Sequence, residues 1–162
     1  MTPARDARAS HEERTTMNHT SFASSVIDAP IERVWAFFRD FDGLPAFHPA
    51  IVESRLEPGP DAYTVGAVRY LTLADGYVRE KLLKLDEPNH ALEYAIVEST
   101  MPVRDYVAGV QLVPVTDSGK TFAQWWANFT TQGVELQPVA ESISEHVFAA
   151  GFRALADKLR AR

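Results

Sequence analysis

Apolar positions become periodic near His19. His19 to Ile27 reads as a strand, and Asp28-Ala29-Pro30 then offers an acidic capping residue and a proline suited to a first helical turn. Ile31, Val34, Trp35, Phe37 and Phe38 recur at helical spacing with Glu32, Arg33, Arg39 and Asp40 between them, which predicts an amphipathic helix packed on a sheet. Gly43, Pro45 and Pro49 break the chain around Leu44 to Phe47, leaving room for a short second helix.

From Ala50 to Phe129, β-rich runs alternate with turn signals such as Glu57-Pro58-Gly59-Pro60-Asp61, Asp75-Gly76, Glu87-Pro88-Asn89 and Asp117-Ser118-Gly119. The predicted strands are Ala50–Leu56, Ala67–Leu73, Val78–Asp86, Ala91–Glu98, Asp105–Val115 and Thr121–Thr131. After Gly133, an uninterrupted helix is expected from about Pro138 to Arg160, with Ile143, Val147, Phe148, Gly151, Phe152, Leu155 and Leu159 on one face. The expected class is α+β: a seven-stranded antiparallel sheet that curls around a long C-terminal helix, with two short helices after the first strand. A helix across the concave face of such a sheet encloses space, either filled by side chains or open to a ligand.

Composition narrows the options. The 162 residues suit one core, with 46% apolar and 23% charged residues as in ordinary globular proteins. Met1 to Thr16 carries no pattern able to offset its ordering entropy, so residues 1–17 are expected to form a disordered tail before a single domain at 18–162. Met17 is a candidate translation start. A net charge of −6 without a basic, aromatic-flanked cluster argues against nucleic acid. The absence of cysteine excludes disulfides, thiolate nucleophiles and thiolate metal sites. No apolar run reaches the length of a membrane span and no signal peptide opens the chain, so a cytoplasmic protein is expected.

Several motifs fail on inspection. Ser118-Gly119-Lys120-Thr121 mimics the end of a phosphate-binding loop, but the required earlier glycine is Pro114, so a hairpin turn is expected. Five histidines lack zinc-site spacing, and no G-x-S-x-G elbow is present. No metal or cofactor is expected. Asn18-His19-Thr20 and Asn128-Phe129-Thr130 match glycosylation sequons of a length that occurs by chance.

Ile27-Asp28-Ala29-Pro30-Ile31-Glu32-Arg33-Val34-Trp35, Asp40-Phe41, His48-Pro49, Val65-Gly66-Ala67-Val68-Arg69, Arg79-Glu80-Lys81-Leu82, Trp125 to Phe129 and Gly151-Phe152-Arg153-Ala154-Leu155 follow one another in an order that matters more than any single piece. Together they resemble the polyketide cyclase/dehydrase-like branch of the START-like (SRPBCC) superfamily, over His19 to Leu159. The resemblance implies a helix-grip fold with a hydrophobic cavity, as in the birch-pollen allergen group and the abscisic-acid receptors. It implies no single activity, because similar proteins include cyclases, lipid carriers, hormone receptors and a condensing enzyme.

Strand alternation nominates cavity residues. Trp125, Ala127 and Phe129 share the concave face and Trp126 points outward, as a lone surface aromatic or part of a contact patch. Around Ala74-Asp75-Gly76, Arg69, Leu71 and Leu73 on one strand face Val78, Glu80 and Leu82 on the next, which puts Arg69 and Glu80 within ion-pairing reach. Tyr94 and Ile96 from the following strand, and Val147, Gly151 and Leu155 from the helix, complete the candidate ligand-binding set. Packing is the default reason for Gly151 in a helix.

Glu80 is a candidate general base with Arg69 holding its charge, or the two neutralise each other as architecture. The resemblance implies that Glu80 matches a pocket glutamate, and Tyr106 a pocket tyrosine, of the hormone receptors. Tyr106 is then either a donor to a ligand oxygen or a core tyrosine. Loops Leu73–Gly76 and Ser99–Arg104 correspond to receptor gating loops, without the gate and latch sequences. His48, beside the expected entrance, is either a proton shuttle or a loop histidine in solvent.

Two functions follow for an apolar small-molecule ligand. One is a cofactor-independent cyclase or dehydratase using Glu80, Tyr106 and His48. The other is a non-enzymatic carrier or sensor. A partner-binding module built on Trp126 is a third, and the chain is expected to be a monomer or homodimer.

Overall fold

The computed structural model describes residues 18–161, so the expected tail at 1–17 lies outside the described residues. Strand β1 (Ser21–Ile27) leads into helix α1 (Ile31–Arg39) and a 3-10 turn (Leu44–Ala46). Six strands follow: β2 (Glu53–Leu56), β3 (Val68–Leu73), β4 (Gly76–Asp86), β5 (Ala91–Ser99), β6 (Val103–Val115) and β7 (Lys120–Thr131). The C-terminal helix comprises α2 (Leu136–Ser142), a π-helical segment (Ile143–Ala149) and α3 (Ala150–Arg160). The sheet order is β1-β7-β6-β5-β4-β3-β2 with every pair antiparallel, the expected α+β helix-grip arrangement.

Local differences from the sequence expectation have local causes. Helix α1 starts at Ile31 because Pro30 occupies the N-cap, its carbonyl accepting from the N–H groups of Arg33 and Val34 at 3.0 and 3.3 Å. Asp28 therefore does not cap it. Strand β2 begins at Glu53 rather than Ala50 because the Ile51 N–H turns back onto the His48 carbonyl. The long helix is interrupted because the buried residues Ile143 and Phe148 stand five apart, a π step that brings Val147 and Phe148 to the sheet together.

Side-chain parity along the strands changes at three one-residue bulges. Between β4 and β5 the extra residues are Val97 on β5 and Leu83 on β4. Between β6 and β7 the extra residue falls at Asp105, whose φ is 53°. Regular alternation from Leu82, Ile96 and Tyr106 would carry Lys84, Glu98 and Arg104 onto the concave face. Each bulge turns its charge outward instead. Glu98 then pairs with Arg79 at 3.2 Å, and Arg104 donates to Gln132 at 2.8 Å. The inward side of the sheet keeps Arg69 and Glu80 as its only charged residues among those described.

Helix and sheet are tied at the β1 edge. The Ser21 hydroxyl donates to the Ala140 carbonyl at 2.8 Å, and the Phe22 N–H donates to the Ser144 hydroxyl at 3.0 Å, so the helix covers an otherwise open strand edge. Outside, half-buried Trp126 lies over Gly109, where an added Cβ would come within 2.6 Å of the indole, and it stacks on the His19 ring at 4.8 Å. There it packs on the outer face of the sheet.

The Asp105 bulge generates a stability prediction. Asp105→Gly should be neutral or slightly stabilising. Asp105→Val should lose about 1–2 kcal/mol in urea unfolding, because a β-branched residue fits the left-handed region poorly.

Candidate functional site

Strand register sets the charged pair. Arg69 stands directly opposite Glu80, and on the next strand Ile96 stands opposite Glu80. Both charged side chains are buried, at 4% and 8% exposure. Arg69 Nε and Nη2 donate to Glu80 Oε1 at 2.8 and 2.7 Å, and Nη1 donates to the Phe41 carbonyl at 2.9 Å. The guanidinium is packed against two rings, 3.9 Å from the Phe41 centroid and 4.9 Å from that of Tyr94. Each of its nitrogens thus has a partner within the protein, and its faces are covered by the two rings. Glu80 Oε2 has no hydrogen-bond partner among the described residues. Burial pushes the Glu80 carboxyl above its ordinary range, while Arg69 pulls it back.

Beside this pair stand two tyrosines. Tyr94 lies opposite Leu82 and accepts a 3.0 Å hydrogen bond from Trp125 Nε1. Tyr106 follows the Asp105 bulge, stacks on Phe129 at 5.3 Å, and has no hydrogen-bond partner for its hydroxyl among the described residues. Burial raises both phenols, so both remain protonated donors at neutral pH.

His48 is buried, at 2% exposure, which overturns the expectation of a loop histidine in solvent. Its Nδ1 accepts from the Ala50 N–H at 3.2 Å and its Nε2 donates to the Val147 carbonyl at 2.7 Å, an arrangement that requires the neutral Nε2–H tautomer. Desolvation by burial lowers its pKa against the opposing pull of the Val147 carbonyl. The ring pins the π segment to the loop after the 3-10 turn. Gly151 allows the approach: a Cβ there would lie 2.9 Å from His48 Cδ2 and 3.0 Å from Trp125 Cζ3.

These groups border a cavity of about 270 Å³ between β3–β6, the loop after the 3-10 turn and the π segment. Of the candidate residues, Leu71, Leu73, Glu80, Tyr94, Ile96, Tyr106, Trp125, Val147 and His48 line it. Arg69, Leu82, Ala127, Phe129, Gly151 and Leu155 do not. They are buried in the packed core around it: Ala127, Phe129, Gly151 and Leu155 on the side that Trp125, Phe148 and Phe152 fill, and Arg69 and Leu82 on β3 and β4, Arg69 against Phe41 and Tyr94. The two loops matched to receptor gates meet at the rim. The Tyr77 N–H donates to the Thr100 hydroxyl at 3.1 Å, and Leu73, Ala74, Asp75 and Met101 line the opening.

A sequence profile described as polyketide cyclase/dehydrase and lipid transport matches residues 19–162. The chain belongs to that family. Solved relatives share the architecture. Protein XoxI from Bacillus cereus is 25% identical with a TM-score of 0.77, the match covering 87% of this chain and 95% of that one. A Bacillus thuringiensis protein is 26% identical with a TM-score of 0.76, over 86% and 98% of the two chains. A Thermobifida fusca protein is 28% identical with a TM-score of 0.75, over 85% and 91%.

Within this family fold, some of the wall had not been legible. Leu44 enters from the 3-10 turn, Ala50 and Ile51 from the loop that the β2 expectation had treated as strand, and Met101 from the β5–β6 loop. Their signal was the cluster of Gly43, Pro45 and Pro49, which keeps this segment irregular and folded over the cavity.

Two measurements probe the helix contact. Gly151→Ala adds helix propensity worth about 1 kcal/mol, yet it should destabilise by about 1–3 kcal/mol in urea unfolding because the added methyl has no space. For His48, the folded pKa lies below the unfolded value of 6.5, so its contribution is present above that pH and lost as pH falls below it. The stability gap between wild type and His48→Asn should shrink on acidification from neutral pH. A gap independent of pH would contradict a neutral buried histidine.

Proposed function

We propose that this protein binds an apolar small molecule in the cavity between β3–β6 and the C-terminal helix. The supporting observation is the composition of the wall: aliphatic and aromatic side chains throughout, interrupted by Glu80, Tyr94, Tyr106 and His48 within and by Asp75 at the rim. Such a surface removes an apolar ligand from water while a few polar groups fix its orientation.

An enzymatic reading has one specific support. Glu80 combines an unpartnered oxygen, a pKa raised by burial and a place on the cavity wall, which suit a general base. Tyr106 would donate to an oxygen on the substrate. His48 has both ring nitrogens engaged and serves as a clamp on the helix rather than a proton carrier. The carrier alternative needs the same cavity and no proton transfer.

Ile96→Trp places a large ring in the cavity and should abolish binding of 2-naphthol in calorimetric titration while cooperative unfolding persists. Undiminished binding would move the ligand site elsewhere. Native mass spectrometry of the purified protein then separates the two activities, since a carrier retains a co-purified molecule unchanged. If an enzyme, Glu80→Gln should abolish turnover while the substrate still binds.

A further inference from the structure

Among the described residues, Glu80 is the one formal charge inside the rim of the cavity, and its counter-charge stands behind it. Glu80 faces the cavity, whereas Arg69 is withdrawn from the wall, its donors shared between Glu80 Oε1 and the Phe41 carbonyl and its faces packed on Phe41 and Tyr94. The bulges at Leu83, Val97 and Asp105 keep Lys84, Glu98 and Arg104 outside. His48, the remaining basic group on the wall, gives its Nε2 proton to the Val147 carbonyl. Among the described residues, no cation on the wall is free to receive an anionic ligand, and Asp75 at the rim would oppose its entry. A cationic ligand fares little better, since Arg69 already neutralises Glu80 and a second cation would be buried without a counter-charge.

A neutral hydroxyl fits what is left. Glu80 Oε2 needs a donor, and the Tyr106 hydroxyl needs an acceptor. One O–H group supplies both. We propose that the site selects uncharged, hydroxyl-bearing apolar molecules, phenols or alcohols, and rejects carboxylates and ammonium ions of the same shape. This rests on the cavity-binding function proposed above. Glu80 is the specificity-determining residue, and Tyr106 completes the hydroxyl site.

The test titrates the intact protein at neutral pH with three probes of one shape: 2-naphthol, 2-naphthoate and 2-naphthylmethylammonium. Naphthol should bind about tenfold or more tightly than either ion, because burial of an unpaired charge is costly. Glu80→Gln leaves Arg69 as an uncompensated cation and should shift the naphthol-to-naphthoate affinity ratio about tenfold or more toward naphthoate. Tyr106→Phe leaves the ion pair intact and should weaken naphthol several-fold, which keeps the proposal testable if Glu80→Gln fails to fold. Equal or tighter binding of either ion to the wild type overturns the selectivity, and so does an unchanged naphthol affinity in Tyr106→Phe. Failure of all three probes to bind would instead count against the cavity-binding function itself.

Discussion

A guanidinium and a carboxylate can share the concave face of this sheet only as a matched pair, and much of the wall follows from that constraint. Removing one partner of a buried ion pair costs about 3–5 kcal/mol, because the other is left charged in a medium that solvates it poorly. Arg69 and Glu80 avoid this by standing opposite each other on a hairpin whose register is fixed by the short Ala74-Asp75 turn. The same constraint explains why other strand charges are kept away. Lys84, Glu98 and Arg104 each occupy a position that alternation assigns to the interior, and each strand takes one extra residue to expel it.

The helix that closes the concave face obeys a second constraint, one of approach distance. Trp125 stacks on Phe148 at 4.9 Å and meets Phe152 and Phe38, so the helix must come close to the sheet on the β7 side. Gly151 removes the methyl that would stand in the way. The π segment adds a residue to the turn above it, so Phe148 packs on Trp125 while Val147 reaches the cavity and His48 binds its carbonyl. His48 meets the Trp125 ring edge-on at 6.2 Å, so the histidine clamp and the aromatic filling together form one side of the cavity.

The sequence made the regular parts visible and the irregular parts obscure. The element order, the Arg69–Glu80 opposition and the outward Trp126 all followed from periods of two and of 3.6, which depend on local pattern alone. Bulges and π turns break those periods by one residue. A trace of one bulge was present, since Leu82-Leu83-Lys84-Leu85 departs from a period of two, whereas Ile143, Val147 and Phe148 also fit an ordinary helical face and leave the π turn unmarked. Reading that trace required knowing the strand partner, because a bulge is defined by the pair and not by the strand. His48 was misjudged for the same reason. Its acceptor, Val147, lies 99 residues away in sequence, and no neighbouring residue announces the contact.

The placement of the open space relative to the charged pair sets the chemistry. Had the cavity opened beside Arg69, the wall would have offered donors and a positive potential to a carboxylate. It opens beside Glu80 Oε2 and Tyr106, with the guanidinium covered by two rings. Low dielectric strengthens whatever interaction the exposed oxygen makes and penalises leaving it unpaired. A donor brought by a ligand therefore gains more there than at the surface. The same exposure that orients a hydroxyl would place a carboxylate base against its proton. On the proposed reading, binding and proton transfer would draw on one atom, and the ligand's own acidity would weigh in which of the two occurs.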